Sequence, residues 1–237
     1  MQHQNFGDRQ TPPVTPLVRA TLAVLIITYV LQLLLQNWMG GGVYSLSLWS
    51  FSTGNWRPWQ PVTSLLLNGE VVEAFFDWIF LFFIMGPVET LVGRKRFIRA
   101  MLWSVGLAIL IVTGLDLLGA VNAMSPYTGV TPALLAMLVI FGLSMPNANI
   151  MLFFVLPIRA AWIAWASGLL SLLMFISARD LGSAMALGGW IGGYTWIISG
   201  GGSLRRLMLH MRKRKVQKEL KRFTVIEGGR GGDHTIH

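Results

Sequence analysis

The groups able to do chemistry within the apolar parts of this 237-residue chain are few. Glu73 and Asp77 stand four residues apart, so on a helix they share one face. Thr131 offers a hydroxyl in Gly129-Val130-Thr131-Pro132, which opens an apolar segment after the polar lead-in Ser125-Pro126-Tyr127-Thr128. A hydroxyl becomes a nucleophile only beside a base. The four histidines, His3, His210, His234 and His237, all lie outside the apolar segments, as do the lysines, which leaves Glu73 and Asp77 as the candidate bases. Zero cysteines exclude disulfides and thiolate metal sites, and with no imidazole in the apolar parts neither a metal nor a cofactor is expected. Thr131 and Pro132 also have a structural reading. Threonine at an N-cap accepts a backbone N–H bond, and proline in the first helical position gives up no hydrogen bond, so the pair predicts a helix start.

The elements that must position these groups belong to a membrane chain. Mean hydropathy is +0.58, and charged residues make up 12%, about half the share in an average soluble domain. Apolar runs cover 20–35, 71–85, 97–118, 132–143, 150–176 and 181–198. A bilayer core of about 30 Å needs about 20 helical residues, so the second and fourth runs reach across only with their polar ends included. An all-α bundle of six spans is expected. The first run follows a Pro-containing leader and lacks a small-residue cleavage site, so it reads as a span and not as a cleaved signal. Arg9, Arg19, Arg94, Lys95, Arg96, Arg99, Arg159 and the C-terminal tail fall on one side, against Arg57 and Arg179 on the other. Positive charge marks the cytoplasmic side, which places both termini there. The domain organisation is then a polar leader (1–16), a membrane domain (17–200) and a basic cytoplasmic tail (201–237).

The first loop, 37–68, is long and carries Trp38, Tyr44, Trp49, Phe51, Trp56 and Trp59. Such rings prefer the headgroup layer, so the loop is expected in the outer interface; an ordinary extracellular loop with some buried aromatics is the alternative. From residue 203 onward the tail holds ten Lys and Arg against Glu219, Glu227 and Asp233. A cationic juxtamembrane segment of this kind predicts binding to anionic lipid headgroups, and nucleic acid is not an expected partner. Its Gly-rich end after Ile226 is expected to be disordered. In the last apolar run Ala184, Gly188 and Gly192 recur every four residues with Gly189 and Gly193 alongside, which lets backbones approach and predicts close packing of the fourth and sixth segments.

Three stretches, in order, resemble the rhomboid family of intramembrane serine proteases. The first is Trp59-Gln-Pro-Val-Thr63-Ser-Leu-Leu-Leu-Asn68, followed by Gly86-Pro-Val-Glu89-Thr-Leu-Val-Gly93-Arg-Lys-Arg-Phe97, which is similar to the family's GxxE and the turn after it. The second is Gly129-Val-Thr131-Pro132, and the third is Leu156-Pro157-Ile-Arg-Ala-Ala-Trp162 with Ala184-Met-Ala186-Leu-Gly188-Gly189-Trp-Ile-Gly192-Gly193. The resemblance covers roughly 17–199 and implies a six-helix rhomboid-like bundle around a water-filled cavity open to the outer face, with a short fourth helix.

By that resemblance the family's nucleophilic serine falls on Thr131 and the glycine after it on Pro132. The catalytic histidine falls on Ala186, the oxyanion-stabilising pair on Glu73 and Asp77, and an upstream loop histidine on Asn68. A carboxylate in the oxyanion position repels developing negative charge, reversing a term worth about 2.7–4 kcal/mol per donor. The leading expectation is therefore an inactive, membrane-embedded relative that binds transmembrane segments of client proteins, with Asn68, Glu73, Asp77 and Trp59 as candidate binding residues. An intramembrane endopeptidase with Thr131 as nucleophile is the enzyme alternative. A proton or cation path through Glu73, Asp77 and Asp116 is a third reading, since ionisable groups in spans are costly and face cavities. The plain reading makes Glu73 interfacial and Asp77 merely hydrated.

Overall fold

The computed structural model describes residues 14–39, 45–51, 53–122, 126–152 and 156–201. The basic tail from 202, with its expected lipid contacts and disorder, and the leader up to 13 lie outside the described residues. The helices are α1 (Pro16–Met39), α2 (Gln60–Thr63), α3 (Val71–Val92), α4 (Arg94–Leu117), α5 (Thr131–Ser144), α6 (Ala160–Ala178) and α7 (Leu181–Trp196), the last running into a π-helical turn at Ile197–Gly201. Four of them, α1, α3, α4 and α6, are long and apolar enough to cross a membrane. The remaining two long helices are shorter, 14 residues in α5 and 16 in α7. Large apolar side chains stay exposed on the four candidate spans, among them Ile27 and Leu34 on α1, Phe75 and Phe76 on α3, Leu102 and Leu110 on α4, and Leu169 and Leu173 on α6. Apolar surface of that extent suits lipid and not water.

The expectation of an all-α chain needs one correction. The fifth apolar run is not a single helix: β1 (Asn149–Leu152) pairs antiparallel with β2 (Leu156–Arg159), Asn149 opposite Arg159, and α6 starts only at Ala160. Pro157 explains the delay, because it lacks an N–H for a helix and biases Leu156 towards extended backbone. The hairpin closes where Ala160 N–H donates to Ala148 O at 2.8 Å.

Two connections are reduced almost to nothing. Gly93 alone joins α3 to α4 with φ +87°, a backbone that glycine adopts without strain; its N–H donates to Glu89 O and its carbonyl accepts from Phe97 N. Between α6 and α7, Arg179 ends one helix in the left-handed region and Asp180 caps the next, accepting from Ser183 N at 3.0 Å.

At the centre lies α7, in contact with α4, α5 and α6. Its glycines face two ways. A Cβ on Gly189 would lie 2.3–2.4 Å from the Pro132 backbone and one on Gly193 2.8 Å from Ala136 O, both on α5. Gly188 and Gly192 instead press on α4, against Ala108 at 2.7 Å and Ser104 at 2.5 Å. One helix thus sits between two neighbours at backbone contact, where dispersion between small residues replaces side-chain interdigitation.

Candidate functional site

The site is built where the lead-in meets the first loop. That loop folds around Gln60, 1% exposed, whose Oε1 accepts from Arg57 N at 2.9 Å and whose Nε2 donates to Ser45 O and Asn55 O at 3.1 Å. Leu48 and Tyr127 exchange both backbone hydrogen bonds, at 2.9 and 2.8 Å, and Gly129 N–H donates to Ser64 O at 2.9 Å. The lead-in is thereby laid along the loop before the chain turns into α5.

Gly129 makes that turn with φ +126°, and Val130 is the N-cap residue of α5. The Val130 carbonyl accepts from Ala133 N and Leu134 N, so Thr131 is the first helical residue and Pro132 the second. The helix start stands where expected, but Thr131 is not its cap: no side-chain capping bond forms. Its hydroxyl lies beside the Tyr127 phenol, both oxygens 3.6 Å from a Cβ placed on Gly129. Pro132 still costs nothing at the second position, because the first-turn N–H groups have no partner within the helix.

Tyr127 was not singled out by sequence. Its phenol is buried, donates to Gly129 O at 2.9 Å and lies beside Thr131. Burial pushes the phenol far above its ordinary pKa, which keeps it a protonated donor. A Cβ placed on Gly129 would lie 3.6 Å from Thr131 Oγ1, 3.6 Å from Tyr127 Oη and 3.8 Å from Glu73 Oε1. Three oxygens from three parts of the chain therefore surround one point over this glycine.

These groups open on a cleft of about 510 Å³. Glu73 comes from α3 and Thr131 from α5; Met174, Ser177 and Ala178 come from α6, and Asp180, Gly182, Ser183 and Ala186 from the start of α7. Pro126, Tyr127 and Thr128 complete the wall. Thr131 and Ala186 thus share one cleft, and Glu73 joins them. Among the described residues no lysine, arginine or histidine lines it. Asp180 is committed to Ser183, whereas no hydrogen bond or ion pair holds Glu73 among the described residues.

The other candidates are spread more widely. Asp77 is partly buried one turn below Glu73 and close enough to act electrostatically on Tyr127; its Oδ2 has no hydrogen-bond partner and it does not line the cleft. Asn68 is fully buried away from the cleft walls, its backbone clamped by Gln32 through Nε2 to O at 2.7 Å and N to Oε1 at 3.2 Å. Trp59 is 49% exposed at the start of α2. Gly86, Glu89 and Gly93 lie at the opposite end of α3, where buried Glu89 accepts from Thr15 Oγ1. Asp116 does not belong with Glu73 and Asp77: it is 4% exposed, and its carboxylate accepts from Ser50 Oγ at 2.6 Å and from Phe51 N. The acidic path read from sequence loses that member.

Chemically the cleft offers hydroxyls, among them that of Thr131, a protonated phenol, and the carboxylates of Glu73 and Asp180, with Ala186 also in its lining. No hydrogen bond joins Thr131 to Glu73 or Asp77 among the described residues. Comparison with curated proteins returns no match. The family model of the Rhomboid domain matches residues 55–201.

Proposed function

This chain belongs to the rhomboid family, and from that premise we propose that its bundle binds transmembrane segments of client proteins without cutting them. One observation carries the reading: Thr131 and Ala186 line the same cleft, and Ala186 can take no proton from the hydroxyl. The neighbouring Tyr127 is itself a protonated donor, so it cannot serve as the base. Pro132 has no N–H to offer an oxyanion, and Glu73 brings negative charge to the wall where one would develop.

What the cleft retains is a binding surface. Its polar floor lies between helices whose outer faces are apolar, so a client helix can stay in lipid while its frayed end enters. Charge favours a client carrying Lys or Arg at that end, since Glu73 meets no cation among the described residues that line the cleft. In this reading the six long helices all cross the bilayer with both termini cytoplasmic. The exposed Arg94, Lys95, Arg96 and Arg99, together with the tail, then meet anionic headgroups at about 1 kcal/mol per basic residue.

A photo-crosslinking residue at Ser177 tests this in liposomes. A transmembrane peptide with lysine at its outer end should be captured about tenfold better than the same peptide with glutamate, on the scale of one or two close charge pairs. Glu73→Gln should erase most of that preference. Equal capture of the two peptides, or none of either, overturns the reading.

A further inference from the structure

The carboxylate of Asp116 is used by nothing in the proposed function, yet it is among the most enclosed acids of the bundle. It reaches out of the last turn of α4 and holds two consecutive residues of the first loop, Ser50 through Oγ at 2.6 Å and Phe51 through its backbone N–H. Two residues earlier in the loop, Leu48 pairs with Tyr127 in both directions. Tyr127 in turn forms cleft wall, donates to Gly129 O and lies beside Thr131. Hydrogen bonds joined by a short stretch of loop backbone therefore link α4 to the cleft wall.

We propose that Asp116 is the latch of the outer loop: by holding Ser50 and Phe51 it keeps the Leu48–Tyr127 pairing closed and so sets how far the cleft beside Thr131 opens to water. The loop has a second fastening, Thr63 Oγ1 to Leu46 O at 2.6 Å together with the Gln60 contacts, which lies on the α2 side. Releasing the Asp116 side leaves that hinge in place, so the loop swings and does not simply unfold. Hydrogen bonds to an ionised acceptor are about twice as strong as neutral ones, which makes a carboxylate suited to hold the α4 side of the loop. The inference does not depend on what the cleft binds, because its readout is access and not capture.

The chain has no cysteine, so a single introduced thiol reports one position. With Ala186→Cys as the probe, the rate of alkylation by an uncharged, water-soluble maleimide is measured in liposomes, with Met137→Cys in the core of α5 as the control. Asp116→Asn should accelerate labelling at Ala186→Cys about tenfold or more, the factor matching loss of charge-assisted hydrogen bonds. Leu48→Pro, which removes the donor to Tyr127 O and leaves Asp116 untouched, should do the same. The control should stay protected in both. An unchanged rate at Ala186→Cys in either variant overturns the latch. Labelling of Met137→Cys alongside it also overturns the latch, by making Asp116 a general fold residue. If Asp116→Asn does not accumulate, Leu48→Pro and Ser50→Ala decide by the same two rates.

Discussion

Gly129 carries more of the site than its lack of a side chain implies. Its φ of +126° lets the chain turn from the Tyr127 pairing into α5, and its carbonyl receives the buried phenol. Gly129→Ala should therefore lower stability by about 1–3 kcal/mol, the usual cost of holding a non-glycine residue in such a conformation, read as a lower Tm in detergent. Thr131 and Ala186 were legible in the sequence because the motif around each survives, and the structure does bring both into one cleft. Tyr127 was not legible: its role depends on a backbone pairing with Leu48, 79 residues away in sequence, and no local pattern encodes such a ladder. The capping role assigned to Thr131 failed for a related reason. The turn at Gly129 makes Val130 the N-cap residue, so Thr131 already lies in the first helical turn, one position past the cap.

At the scale of elements, α7 decides the packing. Its paired glycines were visible in the sequence as a small-residue stripe, but a stripe does not say which neighbour each face meets. Gly189 and Gly193 meet α5, as expected for the fourth and sixth apolar segments, while Gly188 and Gly192 meet α4. Adding a methyl group separates the two kinds of helical glycine. Gly189→Ala places Cβ inside contact distance of the Pro132 backbone, which cannot move aside as a side chain can, and should cost about 3 kcal/mol. Gly106→Ala in α4 meets nothing within 4 Å and should be neutral or stabilising by up to about 1 kcal/mol through helix propensity. Equilibrium unfolding of the two variants in mixed micelles gives both values, and equal effects would contradict the packing described. The β-hairpin at 149–159 escaped sequence reading because a continuous apolar run has no periodicity to separate strand from helix, and only Pro157 hinted at a break.

Taken whole, the molecule carries the Rhomboid domain over residues 55–201, and our proposal is that it binds without cutting. Most helix positions and the short α5 were legible, since length and hydropathy are whole-segment properties that single contacts do not override. The arrangement of the first loop was not, because Gln60 and Asp116 act across the fold. The same contrast bears on function: Thr131 and Ala186 share a cleft with Glu73, and no hydrogen bond joins Thr131 to Glu73 or Asp77 among the described residues. The most direct test is intact-mass spectrometry of the purified protein held in liposomes with a transmembrane peptide rich in helix-destabilising residues. The account predicts a single peptide mass, that of the full-length chain, after prolonged incubation. A pair of shorter masses that appears with the native protein and disappears with Thr131→Ala would contradict it.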